Sequence, residues 1–409
     1  MTGWDIKEET YLKAQILTRG VRFTNAALQY AAIHRAKGQN MVYNMPLSAE
    51  TSRPQEMFLE HEDGFRTVVS CVSPSGISPV VVDADDALIV KIDNKPINRV
   101  QVSFVPEPDY YQKKLSNGET VKKYVTACGY DELNIIPWKG CASPAMCRFC
   151  GSNNFVEEGT VNAISISDNL DLWQDYEREY LQNLRESVNI AKSDSCYSSH
   201  MHVILISGNL HNDRLDDQAL FYANIAKAIH PLVEKQATEG IVVVITPPKS
   251  LSLLTTLKKA GVNIVVFNLE AGNREYFNKH CPGKAALGYD YFVERLVKAV
   301  DVFGWGNAWC NFVFGLEPQE KLLPVCEKLA NLGIATSANV LHLDKGNTLD
   351  CGAPSFESTI SFFYKLNQIN CSKGFRPFYC AEALRTSLSN EAYHNRIAKN
   401  SPTLQARLP

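Results

Sequence analysis

Neither sign of charge dominates this sequence of 409 residues, in which 41 Lys and Arg stand against 44 Asp and Glu for a formal net charge of -3. That balance gives no electrostatic reason to expect a nucleic-acid partner. No run approaches the roughly 18 consecutive apolar residues of a membrane span, so no membrane association is expected. The opening, Met1-Thr2-Gly3-Trp4-Asp5-Ile6-Lys7, lacks a basic end followed by an apolar run. No signal peptide is therefore expected. The 12 cysteines are scattered, without the dense framework of a small disulfide-stapled domain. Such a spread fits a reducing, cytoplasmic location. With 45% hydrophobic and 21% charged residues the chain reads as ordinary globular protein. Its length suggests two or three domains, although a barrel can hold more than about 200 residues in one core.

Against this even background one stretch is dense: Cys141, Cys147 and Cys150, spaced C-x5-C-x2-C, directly after the apolar run Leu133–Trp138. Three thiolates are one short of the four ligands that close a structural zinc site or saturate an iron–sulfur cluster. If they act together, one metal position stays open to a small molecule.

The surrounding pattern changes along the chain. Helical stretches are expected near 7–18 and 24–36, where Ala27, Leu28, Ala31 and Ala32 recur at helical spacing. Short β-branched runs at 66–71, 78–83, 87–92 and 98–104 then read as a small antiparallel sheet. Residues 1–130 are accordingly an α+β accessory domain without evident catalytic residues. From Leu133 onward, strand-like runs at 133–138, 201–207, 240–245, 262–269, 308–314 and 334–342 alternate with helical patterns near 170–194, 214–238, 250–260, 286–303 and 319–332. Alternation of this kind means parallel strands joined by helical crossovers. Six such strands fit an open doubly wound sheet or an incomplete β/α barrel. The run 160–167 reads as an inserted strand or hairpin, and 351–409 as a C-terminal extension.

In parallel folds ligand chemistry gathers at the carboxyl ends of the strands. The cysteine loop belongs on that rim, together with Ser207-Gly208-Asn209, Thr246–Lys249, Asn268–Arg274, Gly315–Pro318 and His342. Singly, each is an ordinary loop residue or helix start; jointly, beside a thiolate cluster, they point to an active site.

These residues resemble the radical S-adenosylmethionine enzymes, whose fold is a partial (β/α)6 TIM-type barrel; the resemblance covers about 135–345. Cys147-Arg148-Phe149-Cys150 matches the family's C-x-aromatic-C ending. The family's usual first gap has three residues where this chain has five, which marks a divergent branch. The resemblance implies that Cys141, Cys147 and Cys150 hold three irons of a [4Fe-4S] cluster and that S-adenosyl-L-methionine chelates the fourth. It implies further that Phe149 packs near the adenine and that Ser207, Gly208 and Asn209 meet the methionine amino group. Glu270 would bond the ribose hydroxyls and Arg274 the methionine carboxylate, whose planar geometry suits a guanidinium. Asn311 and Glu317 would belong to the fifth-strand motif beside the adenine. The implied activity is reductive cleavage to a 5′-deoxyadenosyl radical that abstracts hydrogen from a small-molecule biosynthetic substrate, for rearrangement, cyclisation or oxidation. An electron donor such as flavodoxin or ferredoxin is implied as partner.

Other readings compete. Aminocarboxypropyl transfer or methylation could run on the same cluster, although no cobalamin-type domain is apparent. The three cysteines could form a structural zinc site with Cys128 or a histidine, or the barrel could be a scaffold. In the extension, expected to cover the barrel mouth (with 131–350 as the barrel), Cys380 is a candidate hydrogen donor or thiol nucleophile. His342 is a candidate acid or base, weighed against a purely structural histidine.

Overall fold

The computed structural model describes residues 3–38, 53–74, 76–129, 132–155, 161–194, 202–233, 240–343, 346–377 and 384–400. The N-terminal region holds β1 (Trp4–Ile6), α1 (Glu8–Arg19), β2 (Arg22–Phe23), α2 (Asn25–Ile33), β3 (Glu56–His61), β4 (Arg66–Ser70), β5 (Val80–Ala84), β6 (Leu88–Ile92), β7 (Lys95–Pro96) and β8 (Val100–Phe104). Strands β2 to β8 form two sheets, of order β2-β5-β6-β7 and β4-β3-β8, where the sequence suggests one. Strand β2 pairs in parallel with β5, so the first sheet is mixed. The longest of the strands that the sequence pattern hides here is β3, central in its sheet. It begins at Glu56, a charge that becomes buried because Lys37 meets it at 2.6 Å.

The second half carries the largest sheet, of seven strands. Its strands are β9 (Thr126–Cys128), β10 (Glu132–Ile135), β11 (His202–Ile206), β12 (Ile241–Val244), β13 (Val262–Val266), β14 (Ala308–Phe314) and β15 (Ile334–Val340). Between them run α3 (Ala163–Asp168), α4 (Leu170–Ala191), α5 (Leu215–Val233), α6 (Ser252–Lys259), α7 (Arg274–His280), α8 (Pro282–Ala285), α9 (Tyr289–Phe303) and α10 (Gln319–Asn331). Strands β10 to β15 are parallel and lie side by side in chain order, and β9 adds an antiparallel edge. A doubly wound sheet would reverse its order at a switch point. With no reversal, and with right-handed crossovers, every helix falls on one face and the sheet curls into a partial barrel. The helices accordingly pack in succession, α4 on α5, α5 on α6 and α6 on α9.

Both faces of the strands are apolar, as parallel sheets require. Val203, Leu205, Val243 and Val265 belong to the core under the helices. Their neighbours in sequence, Ile204, Val242, Ile264 and Val266, join Trp309 and Ala335 in a separate inner cluster. One expected element differs: within the described part of 160–167, Asn162 is extended and pairs with Lys139, and the chain then turns into α3. Asn162 stops the strand because its side chain accepts from Ser165 N (3.0 Å), capping a helix instead.

The extension contributes α11 (Phe356–Ser372), α12 (Ser389–Tyr393) and β16 (Ile397–Lys399), the last pairing with β1. Its described residues occupy several places. Thr348 and Cys351 lie on the carboxyl rim, bonded to Arg148 and Gly315. Phe375 sits against Gly306 at the amino end of β14. Thr386 O accepts from Val340 N (2.8 Å) on the free edge of β15, and Arg385 O accepts from Ser70 N (3.0 Å) of β4. The other edge of the sheet is held by Glu56, which accepts from Gly129 N (3.0 Å) just after β9. The β4-β3-β8 sheet and the tail segment 385–386 thus link the two edges of the half barrel.

Candidate functional site

The cysteine loop starts from an aromatic anchor. Trp138, 2% exposed, packs among Trp173, Phe221 and Tyr222 from α4 and α5. Its indole donates to Gly208 O (2.8 Å), so the end of β10 and the end of β11 are tied before the first cysteine is reached. The approach is so close that a Cβ on Gly208 would stand 2.0 Å from Gly140 O. No side chain fits there, which explains the glycine in Ser207-Gly208-Asn209. Asn209 O accepts from Ala142 N (2.7 Å), and Ser207 Oγ shares a hydrogen bond with Tyr222 OH (2.5 Å). These carbonyls therefore hold the cysteine loop; Gly208 O also accepts from Ser207 Oγ (3.2 Å), so both of its lone pairs are used.

The loop is clamped along its length. Asn153, which follows the cysteines, accepts from Cys141 N (2.6 Å) and donates to Cys141 O (3.0 Å). Arg148 N donates to His280 O (2.8 Å), and its guanidinium donates to Thr348 O (2.6 Å). Phe149 and Cys147 are partly buried against the main core. The Cys150 thiol donates to Ser152 Oγ (3.3 Å).

The opposite wall comes from the segment after β13. Glu270 has φ of 66°, a left-handed conformation costly for a residue with a side chain. It is clasped by β14: its N–H donates to Asn311 O (3.3 Å) and its carbonyl accepts from Val313 N (2.8 Å). Asn311 N in turn donates to Asn268 Oδ1 (3.2 Å), with the Asn311 side chain partly exposed. Lys284, from α8, donates to Glu270 Oε1 (2.7 Å) and to Asn268 O (2.8 Å). Gly283 packs so tightly on the cysteine loop that a Cβ would meet Ser143 Oγ at 2.0 Å and Ala145 O at 2.3 Å. Cys281, fully buried, is hydrogen-bonded to Cys147.

The remaining candidates have other partners. Glu317 is buried and accepts from Gly272 N and from Asn273 N (3.1 Å), bracing the turn into α7. Arg274 pairs with Asp290 and lies over the Tyr289 ring at 4.6 Å, with a side chain 58% exposed. His342 is partly buried with Nδ1 3.1 Å from Val340 O. Burial, helped by the charge of Arg385, pushes it down to about 4, so it is neutral and a weak proton carrier near pH 7. Cys380 lies outside the described residues.

Electrostatically the thiols form one group. Burial pushes Cys141 up and Cys150 up to about 11, and each feels the charge of Cys147. Cys147 goes the other way: the Cys281 thiol bonded to it, with the Lys284 ammonium nearby, outweighs burial and holds it below the ordinary thiol range. Burial alone would lower Lys284, but Glu270 and the neighbouring thiolates raise it. Among the described residues no group of three or more His, Cys, Asp or Glu converges on one point where a single ion could sit. A cubane cluster does not ask for convergence, because its thiolates reach different irons.

Lys284 and Cys281 are site residues that the sequence pattern alone does not single out. The sequence sets the Cys281-Pro-Gly-Lys284 run in the notable stretch after the fourth strand but gives neither residue a role, and its packing against the cysteines exists only in the fold.

No protein-family model and no curated protein matches the chain. Among solved structures it is similar to HydG, a maturase of the [FeFe]-hydrogenase, at 15% identity and a TM-score of 0.42, over 63% of this chain and 55% of that one. It is similar to methylornithine synthase (PylB) at 11% identity and a TM-score of 0.41, over 64% of this chain and 69% of that one. A radical SAM methyltransferase from Sphaerobacter thermophilus is similar at 14% identity and a TM-score of 0.38, over 65% and 74%. The chain thus spans about half the length of the HydG protein it resembles. No helix among the described residues is long and apolar enough to cross a membrane.

Proposed function

We propose that the chain is a radical S-adenosylmethionine enzyme in which Cys141, Cys147 and Cys150 hold a [4Fe-4S] cluster. The observation that carries this reading is the clamped three-thiol loop at the carboxyl end of β10, docked on the Gly208-Asn209 backbone of β11. The donor chemistry fits: three thiols on one loop sense one another's charge, and a buried lysine faces Cys147. When bound, the cluster supplies one electron that breaks a C–S bond of S-adenosylmethionine, giving a 5′-deoxyadenosyl radical that takes hydrogen from a substrate.

The chain's own part is to bind, orient and exclude water. Trp138 and Gly208 fix the cysteine loop against β11, and Arg148 ties it to the rim at Thr348. Glu270, aimed by its left-handed backbone, offers a carboxylate oxygen to a hydroxyl-bearing ligand. The inner faces of β11 to β13, with Ile206, Val244 and Val266, line an apolar interior that keeps reactive species from water. A small organic substrate and a reductant such as flavodoxin or ferredoxin complete the reading.

Anaerobic reconstitution with iron and sulfide, followed by dithionite and S-adenosylmethionine, tests it. A brown protein that releases 5′-deoxyadenosine is expected. A colourless protein with stoichiometric zinc overturns the cluster, and methylthioadenosine as product overturns the bond assigned to cleavage.

A further inference from the structure

The short helix α8 touches two parts of the site at once. On one side Gly283 has no room for a Cβ against Ser143 and Ala145 of the cysteine loop, which His280 O at the end of α7 also holds by accepting from Arg148 N (2.8 Å). On the other side Lys284 reaches the end of β13, donating to Asn268 O (2.8 Å) and Glu270 Oε1 (2.7 Å) with both side chains 12% exposed. Among the described residues Oε1 of Glu270 is engaged by this lysine, whereas Oε2 is bonded to none of them. The Glu270 backbone is also held left-handed by β14. A strained backbone and a fixed carboxylate together leave one oxygen pointing free at a set angle, which is how a ligand group is preorganised.

We propose that Lys284 is a positioning residue that fixes Glu270 for the nucleoside part of bound S-adenosylmethionine and, through α8, sets its distance from the cysteine loop. The assignment rests on the cluster reading above. An ammonium held to both Asn268 O and Glu270 Oε1 prevents the carboxylate from rotating. Without it Glu270 is left partly buried with its countercharge gone, so it turns toward water or takes a proton, and in either case a ligand hydroxyl loses its oriented acceptor.

The test is equilibrium binding of S-adenosylmethionine to anaerobically reconstituted protein, with iron content and unfolding midpoint measured on the same samples. Lys284→Gln is expected to weaken binding by about tenfold at unchanged iron, the cost of about one well-placed hydrogen bond. Lys284→Arg, which keeps the charge, is expected to recover most of that loss. Glu270→Gln is expected to weaken binding at least as much, and adding Lys284→Gln to it should cost nothing further, since the two act as one unit. A wild-type protein that binds S-adenosylmethionine while Lys284→Gln binds equally well overturns this assignment and leaves the cluster reading standing. The assignment fails equally if the Lys284→Gln loss persists in full beside Glu270→Gln, because a lysine that merely supports the fold would give additive effects. A wild-type protein that takes up neither iron–sulfur nor S-adenosylmethionine removes both.

Discussion

Among the carboxylates that lysines hold away from bulk water are Glu56 at the seam of the half barrel and Glu270 on its rim. Glu56 is fully buried and saturated: Lys37 stands at 2.6 Å, Gly129 N donates at 3.0 Å, and Arg385 reaches the other oxygen. Burial would raise it, yet the two cations outweigh burial and keep it below the usual carboxylate range. Its partners come from the N-terminal region, from β9 and from the tail, so this carboxylate knots together the pieces that close the gap. Glu270 has one lysine, a strained backbone, an oxygen bonded to none of the described residues and thiols close by. A saturated buried charge stabilises one arrangement, whereas an unsaturated one on strained backbone is ready for a ligand. The same residue pair thus closes the structure in one place and, in the function proposed above, serves a ligand in the other.

The sharpest way to break that distinction is at the thiols. Alanine at Cys141, Cys147 or Cys150 is expected to bring iron in reconstituted protein to background while the unfolding midpoint of the cluster-free chain barely moves. Iron retained at the wild-type level in any of the three refutes that cysteine as a ligand. Next in size is Glu56→Ala, which strands Lys37 and Arg385 without their carboxylate. It is expected to cost about 3–5 kcal/mol in denaturant unfolding, with iron per folded chain unchanged. If it lowered iron and spared stability, the seam would belong to the site and the contrast would fail.

A smaller effect is expected at Gly208, where an added Cβ would press on Gly140 O at 2.0 Å. The neighbour is backbone and cannot swing aside, so Gly208→Ala should shift the cysteine loop and lower iron incorporation severalfold. The barrel beneath should still unfold cooperatively. Wild-type incorporation in this variant would show that the loop is positioned by the cysteines alone and owes nothing to β11.

The barrel is legible in the sequence because its signals are local. Apolar strand runs such as Val203–Leu205 and Val262–Val266 alternate with helical periods, and that rhythm survives without knowledge of the fold. The cysteine spacing is legible for the same reason. What escapes depends on contacts between distant segments. Strand β3 starts with a glutamate whose countercharge Arg385 lies 329 residues away, so its burial cannot be read locally. Strand β9 has three residues, too few for an alternation to show. The run at 160–167 carries β-branched residues, but Asn162 caps α3 and ends the extended stretch. Arg274 suits a ligand carboxylate by its type, yet Asp290 from the start of α9 meets it. Lys284 is hidden by its type, since lysines usually face water.

The seam and the rim meet at His342, which follows β15 and feels the charge of Arg385, a residue of the seam. The Val340 carbonyl can only accept, so Nδ1 carries the proton of the neutral ring. With a folded value of about 4 against the ordinary 6.5, the unfolded chain binds a proton that the folded chain refuses between those two pH values. This contribution to stability is therefore complete above about pH 6.5, declines as the pH falls toward 4, and levels off below it. Discounted for the partial exposure of the ring, the loss is about 2 kcal/mol across the window. His342→Asn keeps a side-chain N–H for Val340 O but cannot titrate, so its stability should lie on a flatter curve, and the wild-type minus variant difference should shrink as the pH falls from 7 to 4. A difference that stays constant would mean that His342 is as free to ionise as in the unfolded chain. Neither burial, the larger cause, nor the charge of Arg385 from the seam would then hold the ring neutral.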